Sequence, residues 1–207
     1  MTANEVTGGA RRQLVVRQVK EWGEILAGLE TRNRYEIMDQ DNNLVGYAAE
    51  EAKGLGAMLL RNLFGRSRAC TIHITDPKGE VVAVGEKSFR WFFHRIEASE
   101  GGRPIGAVQR KWSWIHRKFV IENSNGDEVL TILSPLLRIW TFKLLFGDRE
   151  VGAIRKKWSG AMREMFTDAD TFGIEYDAGQ LEEMRTILLA ATFLIDFTCF
   201  ENNSGKH

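Results

Sequence analysis

From Gln13 onward the chain alternates apolar and polar positions at period two, interrupted at intervals by polar turn residues. Four stretches share one layout, an alternating run, a turn and a second alternating run. They are Tyr35-Glu-Ile-Met-Asp, Asn42-Asn43 and Leu44-Val-Gly-Tyr; Thr71-Ile-His-Ile-Thr, Pro77-Lys-Gly79 and Val81-Val-Ala-Val; Lys118-Phe-Val-Ile-Glu, Asn125-Gly126 and Val129-Leu-Thr-Ile-Leu; and Thr141-Phe-Lys-Leu, Gly147-Asp148 and Val151-Gly-Ala-Ile. Successive side chains of a strand point to opposite faces, so this pattern buries one face and wets the other. Asn-Gly or Lys-Gly between two such runs is a hairpin signal. Hairpin after hairpin, with few helical windows between, predicts an antiparallel all-β body.

One segment departs from the period. Residues 187–200, ILLAATFLIDFTCF, carry a single charge, Asp196. As a helix the run falls short of the ~20 apolar residues that span a bilayer, and it is apolar all round, as a surface helix is not. Either the rest of the protein wraps it or it touches lipid. Asp177 can cap this helix, Glu182 and Glu183 suit the positive end of its dipole, and Asn202 to Gly205 stop it. A closed barrel of about a dozen short strands removes sheet edges and takes one apolar helix as a plug. An isolated carboxylate in lipid is costly, so Asp196 is expected to be buried and hydrogen-bonded near one rim of that barrel.

A longer repeat overlies the hairpins. Ile105-Gly-Ala-Val-Gln-Arg-Lys-Trp112-Ser recurs as Val151-Gly-Ala-Ile-Arg-Lys-Lys-Trp158-Ser, as two similar parts of one sheet system would. Trp112 and Trp158 are expected as structural core anchors, because buried aromatics dominate core energetics. Arg110, Lys111, Arg155, Lys156 and Lys157 read as a solvated strand end, the alternative being a binding patch.

Composition adds bounds rather than chemistry. At 207 residues the chain suits one domain over residues 12–201, with flexible tails at 1–11 and 202–207 and the helix at about 178–201. Lys plus Arg and Asp plus Glu balance at 28 each, so no global field attracts nucleic acid, and any anionic partner must find a local patch. Two distant cysteines, Cys70 and Cys199, make no disulfide framework. The polar N-terminus has no secretory h-region, so the expected setting is intracellular, in the cytoplasm or peripheral at a membrane, and not secreted.

Two further stretches carry a resemblance. Val151-Gly-Ala-Ile-Arg-Lys-Lys-Trp-Ser-Gly-Ala-Met-Arg-Glu-Met-Phe-Thr-Asp-Ala-Asp-Thr-Phe-Gly-Ile-Glu-Tyr, with Phe193-Leu-Ile-Asp-Phe-Thr-Cys-Phe-Glu201 after it, resembles the phospholipid scramblase family, as does the section from Pro104 to Asn123. The resemblance implies a fold shared with the tubby C-terminal domain and LURP-one-related proteins, a closed, roughly twelve-stranded antiparallel barrel around a central C-terminal helix. It implies calcium-responsive, bidirectional movement of phospholipid between leaflets at the cytoplasmic face of the plasma membrane. The alternative is a soluble barrel that binds lipid, phosphoinositide or a protein and translocates nothing.

The resemblance also implies a calcium-binding segment at residues 168–179. As a calcium loop it offers Asp168, Asp170 and Asp177, with Gly173 at the turn glycine and Gly179 where a strong loop has a bidentate Glu, so its affinity is expected in the millimolar class. The competing reading is a β-turn in which Asp168 and Asp170 bond local amides. The clustered, lipid-bearing cysteines of the family are missing. The corresponding regions, residues 58–64, 89–94 and 136–140, contain none.

Aliphatic and aromatic loops can substitute for acyl chains. The lipid-contact candidates are Leu59, Leu60, Arg61, Leu63 and Phe64, a short basic and apolar segment, with Trp91 and Phe92. The alternative is that these residues close the barrel ends. No metal-ligand histidine spacing, nucleophile elbow or phosphate loop is legible, so no enzyme is expected. Protein partner and oligomeric state leave no signature.

Overall fold

A computed structural model of the chain describes residues 10–19, 31–51, 67–137, 140–156 and 171–200. The strands are β1 (Arg11–Val19), β2 (Thr31–Asp39), β3 (Leu44–Glu51), β4 (Cys70–Thr75), β5 (Val81–Lys87) and β6 (Arg95–Glu100). They continue as β7 (Arg103–Lys111), β8 (His116–Asn123), β9 (Glu128–Pro135), β10 (Thr141–Phe146), β11 (Arg149–Lys156) and β12 (Thr171–Asp177). Each pairs antiparallel with its neighbours in sequence, and β12 returns to β1 from Arg11↔Asp177 to Arg17↔Thr171. The predicted closed, twelve-stranded antiparallel barrel is the observed one, and closure leaves no edge to template aggregation. β1 begins at Arg11, inside the stretch read as tail.

The hairpin turns follow from local chemistry. Asp39, Asp76 and Asn123 occupy equivalent positions, and each side-chain oxygen accepts hydrogen bonds from the amides two and four residues on, at 2.8–3.0 Å. Each turn places its fourth residue, Asn42, Gly79 or Gly126, at positive φ, a conformation open to Asn and Gly at least cost.

The repeat has a geometric cause. Gly106 of β7 and Gly152 of β11 are equivalent copies. A Cβ there would lie 2.1 Å from the Glu122 carbonyl oxygen and 2.2 Å from that of Glu175, respectively. Both glycines let an adjacent strand approach closely, as a tightly curved wall requires.

The inward positions alternate as expected: Tyr35 and Ile37, Ile72 and Ile74, Phe119 and Ile121, Leu130 and Ile132, Phe142 and Leu144, Phe172 and Ile174 all join one core. Into it runs the C-terminal segment, as α1 (Ala178–Leu181), a 3₁₀ turn (Glu182–Met184) and α2 (Arg185–Cys199). Asp177 caps α1 by accepting from the Gly179 amide at 3.0 Å. Every α2 residue from Ile187 to Thr198 is buried, so the barrel wraps the helix on all sides. Its buried hydroxyls are satisfied within the helix. Thr192 donates to the Leu188 carbonyl at 2.9 Å and Thr198 to that of Leu194 at 2.6 Å.

The up-and-down order sorts the connections by end. Residues 40–43, 76–80, 101–102, 124–127 and 147–148 turn at the end where α1 begins, the turn rim. Residues 88–94, 112–115 and 136–140 lie at the other end, the loop rim, toward which α2 points.

Candidate functional site

The loop rim is the unusual surface of the molecule. Ten of the fourteen large apolar side chains exposed among the described residues sit in its three loops. Phe92 is 78% exposed, Trp114 80% and Leu137 97%. Trp91, Trp112, Trp114 and Trp140, all the tryptophans among the described residues, belong to this rim. The loops are held in place. The Arg90 amide donates to the Ser67 carbonyl at 3.1 Å, the Arg110 amide to that of His94 at 2.8 Å, and the Lys156 amide to that of Trp140 at 2.9 Å. Phe89 meets Trp91 and Trp112 meets Trp114 edge to face, at centroid separations of 5.4 and 4.5 Å. Phe93 keeps its ring exposed at φ 53°, a conformation a bulky residue seldom adopts.

Charge is distributed as unevenly as apolar surface. No Asp or Glu occurs in residues 87–96, 110–121 or 134–146, which carry Lys87, Arg90, Arg95, Arg110, Lys111, Arg117, Lys118, Arg138 and Lys143. Among the described residues Arg90, Arg110, Arg117 and Lys118 form no ion pair. Arg117 lies on the same face of β8 as the core residues Phe119 and Ile121, and its Nη1 is buried without a hydrogen-bond partner among the described residues. Elsewhere the wall neutralises its cations, as in Arg17–Glu36, Arg155–Glu175 at 2.8 Å and Lys143–Glu150 at 2.7 Å.

Burial alone would push the Glu175 carboxyl up, but hydrogen bonds from Arg11 and Arg155 hold it below its ordinary value. At the turn rim, burial followed by the Glu182 carboxylate pushes the Tyr176 phenol up to about 12.

Beneath the loop rim lie two buried ionic clusters. Asp196, 8% exposed, accepts from the Tyr35 hydroxyl at 2.9 Å and lies 3.4 Å from Lys156 Nζ. That ammonium also sits over the rings of Phe200, at 4.2 Å, and Phe172, at 5.1 Å. Trp140 stacks on Phe200 at 5.6 Å, tying the rim to the end of α2. In the second cluster Arg68 grips Glu50 with both terminal nitrogens, Lys87 donates to the Arg68 carbonyl, and the Arg68 guanidinium lies 5.5 Å over Phe197. Paired in this way, the charges avoid the cost of isolated burial.

The sequence expectations divide accordingly. Trp91 and Phe92 are exposed at the loop rim. Leu59, Leu60, Arg61, Leu63, Phe64 and Trp158 lie outside the described residues, as do Asp168 and Asp170. The core role expected of Trp112 is overturned. It is 59% exposed, because it follows the last residue of β7 and so leaves the inward–outward alternation. Of the segment that the resemblance assigns to calcium, residues 171–179 are described. Residues 171–177 are β12, with Phe172, Ile174 and Tyr176 in the core. A strand of that length separates Asp177 from Thr171 by ~20 Å, and Asp177 is engaged as the cap. No group of three or more His, Cys, Asp or Glu poised for a metal occurs among the described residues. Trp114, Ile115, Leu137 and Trp140 were not singled out by sequence. The signal was the carboxylate-free run Arg110-Lys-Trp-Ser-Trp-Ile-His-Arg-Lys118, too apolar for a turn and too basic for a core.

A family model described as Scramblase matches residues 9–202. The chain belongs to the phospholipid scramblase family. It is 34% identical to human phospholipid scramblase 1, over 94% of this chain and 64% of that protein. It is also 34% identical to bovine phospholipid scramblase 2, over 94% of this chain and 70% of that one. Human phospholipid scramblase family member 5 is 31% identical, over 92% and 74%. The chain thus spans 64% of the length of the first relative and somewhat more of the other two. No solved structure matches it. No helix among the described residues is long and apolar enough to cross a membrane.

Proposed function

We propose that this chain is a phospholipid scramblase that acts on a bilayer from one surface, disturbing a leaflet rather than conducting lipid through itself. The supporting observation is the polarity of the barrel in a member of a family whose relatives are named phospholipid scramblases. Apart from the two ionic clusters under the loop rim the lumen is apolar and filled by α2, while the outer wall carries the ion pairs Arg17–Glu36, Arg155–Glu175, Arg95–Glu122 and Lys111–Glu128. A membrane-spanning barrel has the opposite arrangement, apolar outside, and charges on a lipid-facing wall each cost ~2–4 kcal/mol at mid-bilayer. Nor does the plugged lumen provide a polar path for a head group across ~30 Å of hydrocarbon.

The setting that accords with this reading is peripheral, at the cytoplasmic face of the plasma membrane. Calcium dependence, as the resemblance implies it, draws on Asp168, Asp170 and Asp177, and no step is routed through it. The test is reconstitution with vesicles carrying a fluorescent phospholipid in both leaflets. A membrane-impermeant quencher is added with and without calcium. Loss of the protected inner-leaflet signal faster than in protein-free vesicles supports scrambling. Protection equal to the protein-free control sinks it, and leaves a lipid-binding barrel without translocation.

A further inference from the structure

We infer that the loop rim is a docking face for an anionic phospholipid leaflet, which the barrel meets end-on, with Trp91, Phe92, Trp112, Trp114, Leu137 and Trp140 in the interfacial layer. This deepens the scramblase reading by assigning it a contact surface and an orientation. Three independent features select lipid over other occupants. The first is residue type. The rim collects all the tryptophans among the described residues, and tryptophan is the side chain most at home between water and hydrocarbon, with an apolar ring and one N–H donor.

The second is shape. The exposed rings and Leu137 lie on three loop tips at one end of a cylinder, linked by backbone hydrogen bonds to Ser67, His94 and the end of β11. Separate prongs on a held base suit a fluid surface that fills in around each of them. The third is charge. Arg90 and Lys118 stand behind the rings with no ion pair among the described residues, at the height where lipid phosphates lie once the rings are inserted. A leaflet carrying negative head groups supplies the missing counter-charges. The turn rim has the reverse character. Each of its five turns contains or adjoins Asp or Glu, among them Asp39, Asp76, Glu100, Asp127 and Asp148. Among the described residues charge is therefore polarised along the barrel axis, so that an anionic surface favours one end over the other.

The experiment uses the full chain and two vesicle types, phosphatidylcholine alone and phosphatidylcholine doped with phosphatidylserine. Binding is read by flotation, and insertion by quenching of tryptophan emission with lipids brominated on the acyl chain. The expected result is strong binding to the anionic vesicles, weakened by salt, with emission quenched. Trp114→Ser with Leu137→Ser is expected to lower the partition coefficient at least about tenfold. Arg90→Glu with Lys118→Glu is expected to lower it about fivefold or more per residue on anionic vesicles only. Phe146→Ser, at the turn rim, is expected to change nothing, and equal thermal melts show that each variant is folded.

Unquenched emission, or rim variants that bind like the parent, overturns the docking face. So does a parent that ignores vesicles but sediments as an oligomer which Trp114→Ser with Leu137→Ser dissociates, since the rim is then a contact between copies of the chain. A parent that docks but moves no lipid leaves the docking face standing and sinks the scramblase reading instead. Lipid movement unaffected by the rim variants does the converse.

Discussion

The two ends of this barrel are made from the same strands and share almost nothing else. At the turn rim the chain reverses in short, self-bonded Asx-type turns such as Asp39 to Asn43 and Asp76 to Glu80, rich in carboxylates and satisfied by their own backbone. At the loop rim it reverses through residues 88–94, 112–115 and 136–140, which expose Trp91, Phe92, Trp114 and Leu137. The interior follows the same division, because the Asp196–Lys156–Tyr35 and Glu50–Arg68–Lys87 clusters lie under the loop rim. A turn that closes a hairpin needs only local chemistry. Apolar tips kept at a surface need a base that holds them, and here the base is built of buried ion pairs and the stacked end of α2.

Removing one partner of a buried pair should separate the two ends most sharply. Lys156→Met takes a buried cation from beside Asp196 under the loop rim, and denaturant melts should show a loss of about 3–5 kcal/mol. Arg12→Ala, which removes the partly exposed ion pair with Glu182 at the turn rim, should cost under about 1 kcal/mol. Similar losses at both ends would erase the contrast.

The repeat supplies the next test, since Gly152→Ala drives a Cβ toward the Glu175 carbonyl. It should destabilise by about 1–3 kcal/mol, in the wall between the rims. A turn change should be smaller. Asn123→Ala deletes the bonds to the Asn125 and Asp127 amides and should lower stability by about 0.5–1.5 kcal/mol, with vesicle binding intact.

The smallest effect expected is in the acid limb of stability. Glu175 has its folded pKa below the ordinary 4.5, so its contribution is present above that value and is lost as pH falls through the folded one. Glu175→Gln should flatten this part of the profile, measured by melts on either side of pH 4.5, and leave stability near neutrality to change far less than Lys156→Met does.

Hairpins, turn residues and the plug were legible because each is specified within a few residues: alternation by strand geometry, Asn42, Gly79 and Gly126 by their positive φ, and the helix by its unbroken apolar run. Asp196 could be placed inside by the cost of leaving a carboxylate in lipid, but its partners could not be named. Tyr35 and Lys156 come from strands far away in the chain. The reading of Trp112 failed at a strand boundary, because it was assigned the burial of the strand it follows.

The sequence by itself determined an all-β wall, its turns and an apolar helix that needs a container, because propensity, period and turn chemistry act over a few residues. Which loops share an end was decided only by the tertiary structure. That placement depends on every strand running antiparallel to the last and on β12 closing against β1. Closure gathers four tryptophans from three separate loops, with Arg90 and the strand-end Lys118, onto one rim, where together they form a surface that none of them forms alone.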